Sequence, residues 1–170
     1  KLSDITVIPH LVPEQLSYVI NNGEVTITDC DELATEIVIP ATIEGLPVTI
    51  IDDYAFLQCS SLTAITIPDS VTSIGGFAFM HCSSLESITI PNGVTSIGDN
   101  AFYECSSLTA ITIPDSVTSI GDYAFYGCRS LTAITIPDSV TGIGDNAFYG
   151  CSNLTAITIP ESYHSSEEAE

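Results

Sequence analysis

The stretch Leu108 to Ser130, LTAITIPDSVTSIGDYAFYGCRS, returns at Leu131 to Asn153 with nineteen of its 23 positions unchanged. Looser copies begin at Leu85 and Leu62. A fixed period of this length constrains the fold more than any other property of the chain. Each unit is one small supersecondary piece that cannot bury an apolar face alone, so the units must stack.

Within a unit, Leu108, Ile111 and Ile113 have the L-x-x-I-x-I spacing of a leucine-rich repeat. Alternation along a strand points Ile111 and Ile113 inward and Ala110 and Thr112 outward. Pro114 ends the pairing, and Asp115-Ser116 supplies turn chemistry. Val117 to Ile120 then offers a second short extended piece, and Gly121 a bend. Asp122 stands where an N-cap would open a one-turn helix over Tyr123 to Tyr126, with Ala124 and Phe125 facing the core and Gly127 closing the turn. The expected fold is an α/β-type leucine-rich repeat solenoid. It is mainly β and right-handed, with one parallel strand per repeat, short second strands and one-turn helices. Phe56, Phe79, Phe102, Phe125 and Phe148 should form one internal column, and Ile67, Ile90, Ile113, Ile136 and Ile159 another.

Three regions follow along the chain. Residues 1–30 hold an irregular opening, broken by Pro9 and Pro13, and a capping hairpin around Asn21-Asn22-Gly23. Residues 31–160 hold the repeats, the first stretched near Ile43 to Pro47. Residues 161–170 are a polar, acidic tail, expected to be mobile. No second cap is visible after the last repeat strand, so either the natural chain continues or that edge meets another molecule. The opening KLSDITVIPHLVPEQ lacks an initiator Met and an apolar signal segment, which fits a processed or trimmed chain and does not argue for the cytoplasm.

The 22 acidic residues face only Lys1 and Arg129, for a formal charge of −20. Phosphate backbones would be repelled, so nucleic-acid binding is excluded. No apolar run approaches the length of a membrane span. Acidic excess with almost no lysine suits an extracellular or cell-surface protein.

The six cysteines, Cys30, Cys59, Cys82, Cys105, Cys128 and Cys151, recur in a C-x-x-L setting once per coil. That pattern reads as a column of buried thiols. Disulfides between neighbouring coils are the alternative, and zinc is disfavoured without C-x-x-C. Two acidic columns, Asp69/Asp115/Asp138/Glu161 and Asp53/Asp99/Asp122/Asp145, read as turn and cap residues. Calcium across adjacent coils is the competing reading, although the spacing is not that of an EF-hand. No catalytic motif occurs, and the three histidines, His10, His81 and His164, form no cluster in sequence. The chain is therefore read as a non-enzyme with no cofactor and no metal.

The outward strand positions Ala64/Thr66, Ser87/Thr89, Ala110/Thr112, Ala133/Thr135 and Ala156/Thr158 make a flat face of small side chains. Of these, Thr66, Ser87, Thr89, Thr112, Thr135 and Thr158 are the candidate binding face. It lacks the Trp, Tyr and Arg of strong anchors, so contact there should be broad and shallow. A generic sheet surface is the plain alternative, and a threonine row also invites an ice-binding reading. Tyr103, Tyr126 and Tyr149 could line another side, or simply cover core edges. Asn153-Leu154-Thr155 is an N-glycosylation sequon, relevant only in a eukaryotic source.

The unit I-x-I-P…V-T-x-I-G-x-x-A-F-x-x-C resembles the BspA-like leucine-rich repeats, over about residues 16–160. The leading hairpin and IPATIEGLPVTIIDDYAF are similar to the irregular opening coil of such proteins. The resemblance implies a curved solenoid displayed outside the cell, binding or adhering to proteins or glycans, and no enzymatic activity. The second expectation is a structural protein that self-associates head to tail through its C-terminal edge, since near-identical coils permit rings or filaments.

Overall fold

A computed structural model describes residues 13–161. The irregular opening and the acidic tail expected from sequence fall largely outside them, as do His10 and His164. The chain enters through β1 (Leu16–Asn21) and β2 (Glu24–Cys30), an antiparallel hairpin turning at Asn22 and Gly23. Both turn residues have positive φ, 52° and 79°, as a tight two-residue hairpin requires. Leu16, Val25 and Ile27 lie on the core side of this hairpin and are buried.

β3 (Glu36–Val38), β4 (Thr42–Ile43) and β5 (Leu46–Ile51) belong to the enlarged first coil. The extra residues fold into a second tight hairpin, with β4 pairing β5 across Glu44 and Gly45. Tyr18 donates its hydroxyl proton to Glu44 Oε1 at 2.7 Å and ties the two hairpins together. β5 in turn pairs parallel with β2, which carries the opening hairpin into the solenoid sheet.

The regular coils then alternate two strands each: β6 (Ala64–Thr66), β7 (Ser73–Ile74), β8 (Ser87–Thr89), β9 (Ser96–Ile97), β10 (Ala110–Thr112), β11 (Ser119–Ile120), β12 (Ala133–Thr135), β13 (Gly142–Ile143) and, last, β14 (Ala156–Thr158). One sheet runs unbroken from β1 and β2 through β5, β7, β9 and β11 to β13. The other face carries β3, β6, β8 and β10 in one sheet and β12 with β14 in a separate pair. Register is strict: Ile111 lies beside Ile88, and Ile134 beside Ile157. A slip of one residue would turn those isoleucines to solvent.

Between the sheets the core is a set of columns. Phe56, Phe79, Phe102 and Phe125 are fully buried, and Phe148 partly so. Their ring centroids are 5.0, 5.3, 5.4 and 5.4 Å apart in sequence order, with planes within 8°. Each buried ring contributes about 2–3 kcal/mol.

The one-turn helix expected over Tyr123 to Tyr126 does not form; among the described residues there is no α-helix. Tyr123 and Gly127 both have positive φ, 55° and 69°. The N–H groups of Tyr123, Phe125 and Gly127 therefore reach the carbonyls of Asp145, Ala147 and Tyr149 in the next coil, at 2.8 to 2.9 Å. Tyr126 and Cys128 instead close turns onto Tyr123 and Phe125. Half the donors of this segment thus serve the stack, which a helix would forbid.

The bend glycines also differ from expectation. Gly75, Gly98, Gly121 and Gly144 have no positive φ; what they provide is closeness. A Cβ on Gly121 would lie 2.5 Å from the Asp99 nitrogen one coil back.

Candidate functional site

The outward strand face carries all six positions singled out from sequence. Thr66, Ser87, Thr89, Thr112, Thr135 and Thr158 are exposed, while Ile65, Ile88, Ile111 and Ile134 between them are buried. Strand alternation and in-register pairing place Thr66, Thr89, Thr112, Thr135 and Thr158 in one row. Val38 occupies the equivalent place in β3, 64% exposed, and starts the row with an apolar residue.

Three threonine rows run along the solenoid, and they differ in what their hydroxyls do. In one, Thr63, Thr109 and Thr155 donate to the carbonyls of Thr35, Glu86 and Thr132 at 2.9 to 3.4 Å. In the second, on the unbroken sheet, Thr72, Thr118 and Thr141 donate to Thr49, Thr95 and Thr118 at 3.2 to 3.4 Å. Both rows knit coils together. The hydroxyls of Thr66, Thr89, Thr112, Thr135 and Thr158 have no protein partner among the described residues. They are left to solvent or to a ligand.

This face is not uniform. No strand bridge joins β10 to β12, and a groove of about 300 Å³ opens there, lined by Ile111, Thr112, Ile113, Ala133, Ile134 and Thr135. Sequence reasoning missed it, because the coils on either side are nearly identical. A second hollow, about 470 Å³, lies at the far end beside Asp138, Thr158, Ile159, Pro160 and Glu161.

The acidic column Asp53/Asp99/Asp122/Asp145 plays a role that sequence did not reveal. Asp53, Asp99 and Asp122 do not cap helices. Each accepts the backbone N–H of the next coil through Oδ1, from Gly76, Asp122 and Asp145, at 2.7 to 2.9 Å. No group of three or more potential metal ligands gathers among the described residues. Arg129 reaches Glu104 at 3.4 Å, across an exposed surface where such a pair is worth little.

All six cysteines are free thiols. Cys82, Cys105, Cys128 and Cys151 donate S–H to the carbonyls of Phe56, Phe79, Phe102 and Phe125 at 3.1 to 3.2 Å, one coil back. Burial pushes these four thiols above the ordinary cysteine range. Cys30 is raised as well, first by the neighbouring Cys59 thiol and then by burial, and Cys59 is lowered by the same neighbour. Buried or half-buried and hydrogen-bonded to the preceding coil, the sulfurs of Cys82, Cys105, Cys128 and Cys151 are structural. His81 sits at a positive φ of 61° with its ring edge-on to Tyr103.

The model of the BspA-type leucine-rich repeat region matches residues 49–169 in six copies. The chain belongs to that family. BspA-type repeats build solenoids that are typically non-catalytic and act as protein-interaction or surface-repeat modules. A leucine-rich repeat protein of T. pallidum is 34% identical, with a TM-score of 0.83 over 87% of this chain and 70% of its own. One from Bacteroides ovatus is 36% identical, with a TM-score of 0.80 over 91% of this chain and 42% of its own. A leucine rich cell surface protein of Faecalibacterium prausnitzii is 33% identical, with a TM-score of 0.62 over 86% of this chain and 53% of its own. The chain thus spans about half or less of the latter two. No curated protein sequence matches it. Among the described residues, no helix is long and apolar enough to cross a membrane.

Proposed function

We propose that this BspA-type solenoid is a non-enzymatic binding module, secreted or displayed at a cell surface, that meets a protein or glycan along its outward strand face. The observation that carries this reading is the contrast among the threonine rows. Two rows tie the coils together, while Thr66, Thr89, Thr112, Thr135 and Thr158 present unpartnered hydroxyls on parallel strands. A ligand that satisfies those hydroxyls gains hydrogen bonds without breaking any within the protein. The small side chains predict shallow contact over many coils, with the groove between β10 and β12 as a recess along it. Location outside the cell draws support from the cell-surface description of the Faecalibacterium protein.

The test is a binding screen of the immobilised chain against extracellular-matrix proteins and glycans, followed by paired variants. Thr89→Lys with Thr112→Lys should weaken a specific ligand by about tenfold or more, or 1.4 kcal/mol. Ser96→Lys with Ser119→Lys, on the exposed face of the other sheet, should leave it unchanged. Equal loss from both pairs, or no specific ligand in the screen, refutes the reading.

A second reading, head-to-tail assembly, has one observation in its favour. Coils that share nineteen of 23 residues would stack on another chain's coils as they do on their own. Light scattering that gives a concentration-independent monomer removes it.

A further inference from the structure

Tyr103, Tyr126 and Tyr149 hold the same place in three successive coils. Their ring centroids are 4.7 and 5.5 Å apart, with planes 5° and 17° from parallel. The spacing is fixed by the backbone. Glu104 and Gly127 donate N–H to the carbonyls of Tyr126 and Tyr149 at 2.7 and 2.9 Å, so the coil pitch sets the distance between rings. Tyr103 and Tyr126 are half-buried, and Tyr149 is exposed. Unlike Tyr18, which donates to Glu44, none of the three hydroxyls has a protein partner among the described residues. Burial, with Tyr126 and Glu104 nearby, raises the Tyr103 phenol above its ordinary value, so it is protonated at neutral pH.

We propose that this stack is an oxidative modification site, at which hydrogen peroxide turned over by a haem peroxidase joins Tyr126 to Tyr103, and secondarily to Tyr149, as dityrosine. Each of the two phenols gives up one electron and its O–H proton. The two radicals pair through the ring carbons ortho to oxygen, forming one C–C bond. Each ortho hydrogen then leaves its carbon as a proton, and each oxygen regains a proton, restoring two phenols. Two hydrogen atoms leave the protein in all, and they reduce one hydrogen peroxide to two waters.

Two features favour this product over coupling between molecules. A neighbour held one coil away has a far higher effective concentration than a second chain in dilute solution. Tyr126 also has a third ring nearby, Tyr123 in its own coil, with centroids 6.0 Å apart. Tyr126 is therefore the node of every close tyrosine pair in this region. A link from Tyr126 to Tyr149 would staple the two coils between which the strand face opens.

The experiment treats the full chain, at low micromolar concentration, with hydrogen peroxide and a plant haem peroxidase. The monomer is then separated from cross-linked dimers on a denaturing gel, and dityrosine is read in it by fluorescence and peptide mass mapping. The expected result is dityrosine in the monomer, with Tyr103 and Tyr126 peptides joined and lighter by two hydrogens. Tyr126→Phe should abolish the monomer product, whereas Tyr54→Phe should not change it. Phenylalanine keeps a ring in the stack, and an unchanged melting curve for Tyr126→Phe confirms that the coils remain in place. Dityrosine confined to dimers, or undiminished in the Tyr126→Phe monomer, overturns the proposal.

Discussion

Gly142 and Gly144 lie two residues apart in one coil, and the same methyl group should act on them with opposite signs. Gly142 stands where the preceding coils have Ser73, Ser96 and Ser119. It lies in β13, has no positive φ, and a Cβ there would meet nothing within 4 Å. Glycine in a strand forfeits conformational entropy, so Gly142→Ala should stabilise by about 0.5–1 kcal/mol. At Gly144 an added Cβ would sit 2.5 Å from the Gly121 carbonyl carbon and against the backbone nitrogen and carboxylate of Asp122. Most of those atoms are backbone, and they can retreat only if the coils part. That would strain the bonds from Gly144 N–H to the Ile120 carbonyl and from Asp145 N–H to Asp122. Overpacking of this kind costs about 1–3 kcal/mol. For a chain of this length 1 kcal/mol moves the melting midpoint by about 2–4 °C. Gly142→Ala should therefore raise it by about 1–4 °C, and Gly144→Ala lower it by about 2–12 °C, as followed by circular dichroism. Shifts of the same sign, or a neutral Gly144→Ala, would refute the close-approach explanation of the glycine column.

Alkaline pH should destabilise the fold through the cysteine column. The thiols of Cys82, Cys105 and Cys128 are raised above the unfolded value, so the folded state keeps protons that the unfolded state releases. Stability is fully present below the unfolded pKa and falls once pH rises past it, by about 1.4 kcal/mol per pH unit for each such thiol above roughly pH 8.5. Urea midpoints that stay level from pH 8 to 10 would contradict this. Added salt should act in the other direction. With a formal charge of −20, screening relieves self-repulsion, and the melting temperature should climb between low and moderate NaCl. A flat or falling value would show that the acidic columns do not strain the stack.

What was legible in the sequence was what repeats and faces inward. The L-x-x-I-x-I strand and the AF phenylalanines fall where their period placed them, because burial on a strand depends only on alternation and stacking. The turn before each cysteine was misread. Residues such as Tyr123 and Phe77 give no sequence sign of positive φ, which for bulky side chains costs about 1–2 kcal/mol. The inter-coil bonds those residues make offset that cost, and such bonds exist only once the neighbouring coil is present. The aspartate column was misassigned for the same reason, since Asp99 accepts from a residue 23 positions away rather than from its own turn. On the candidate face, the outward positions were readable by parity. Which threonine row is tied and which is free was not, because all three consist of the same residue type. The break between β10 and β12 leaves no trace in two coils that share nineteen of 23 residues.

Excision of residues 108–130 tests most directly whether one period is one coil. The cut removes β10, β11, Phe125 and one rung of every ladder, and it brings Ser107 up against Leu131 in the register that Leu108 held. If coils are interchangeable layers, the shortened chain folds with the same circular dichroism per residue and a lower urea midpoint, since one interface between neighbours is lost. A product without a cooperative unfolding transition would contradict that account.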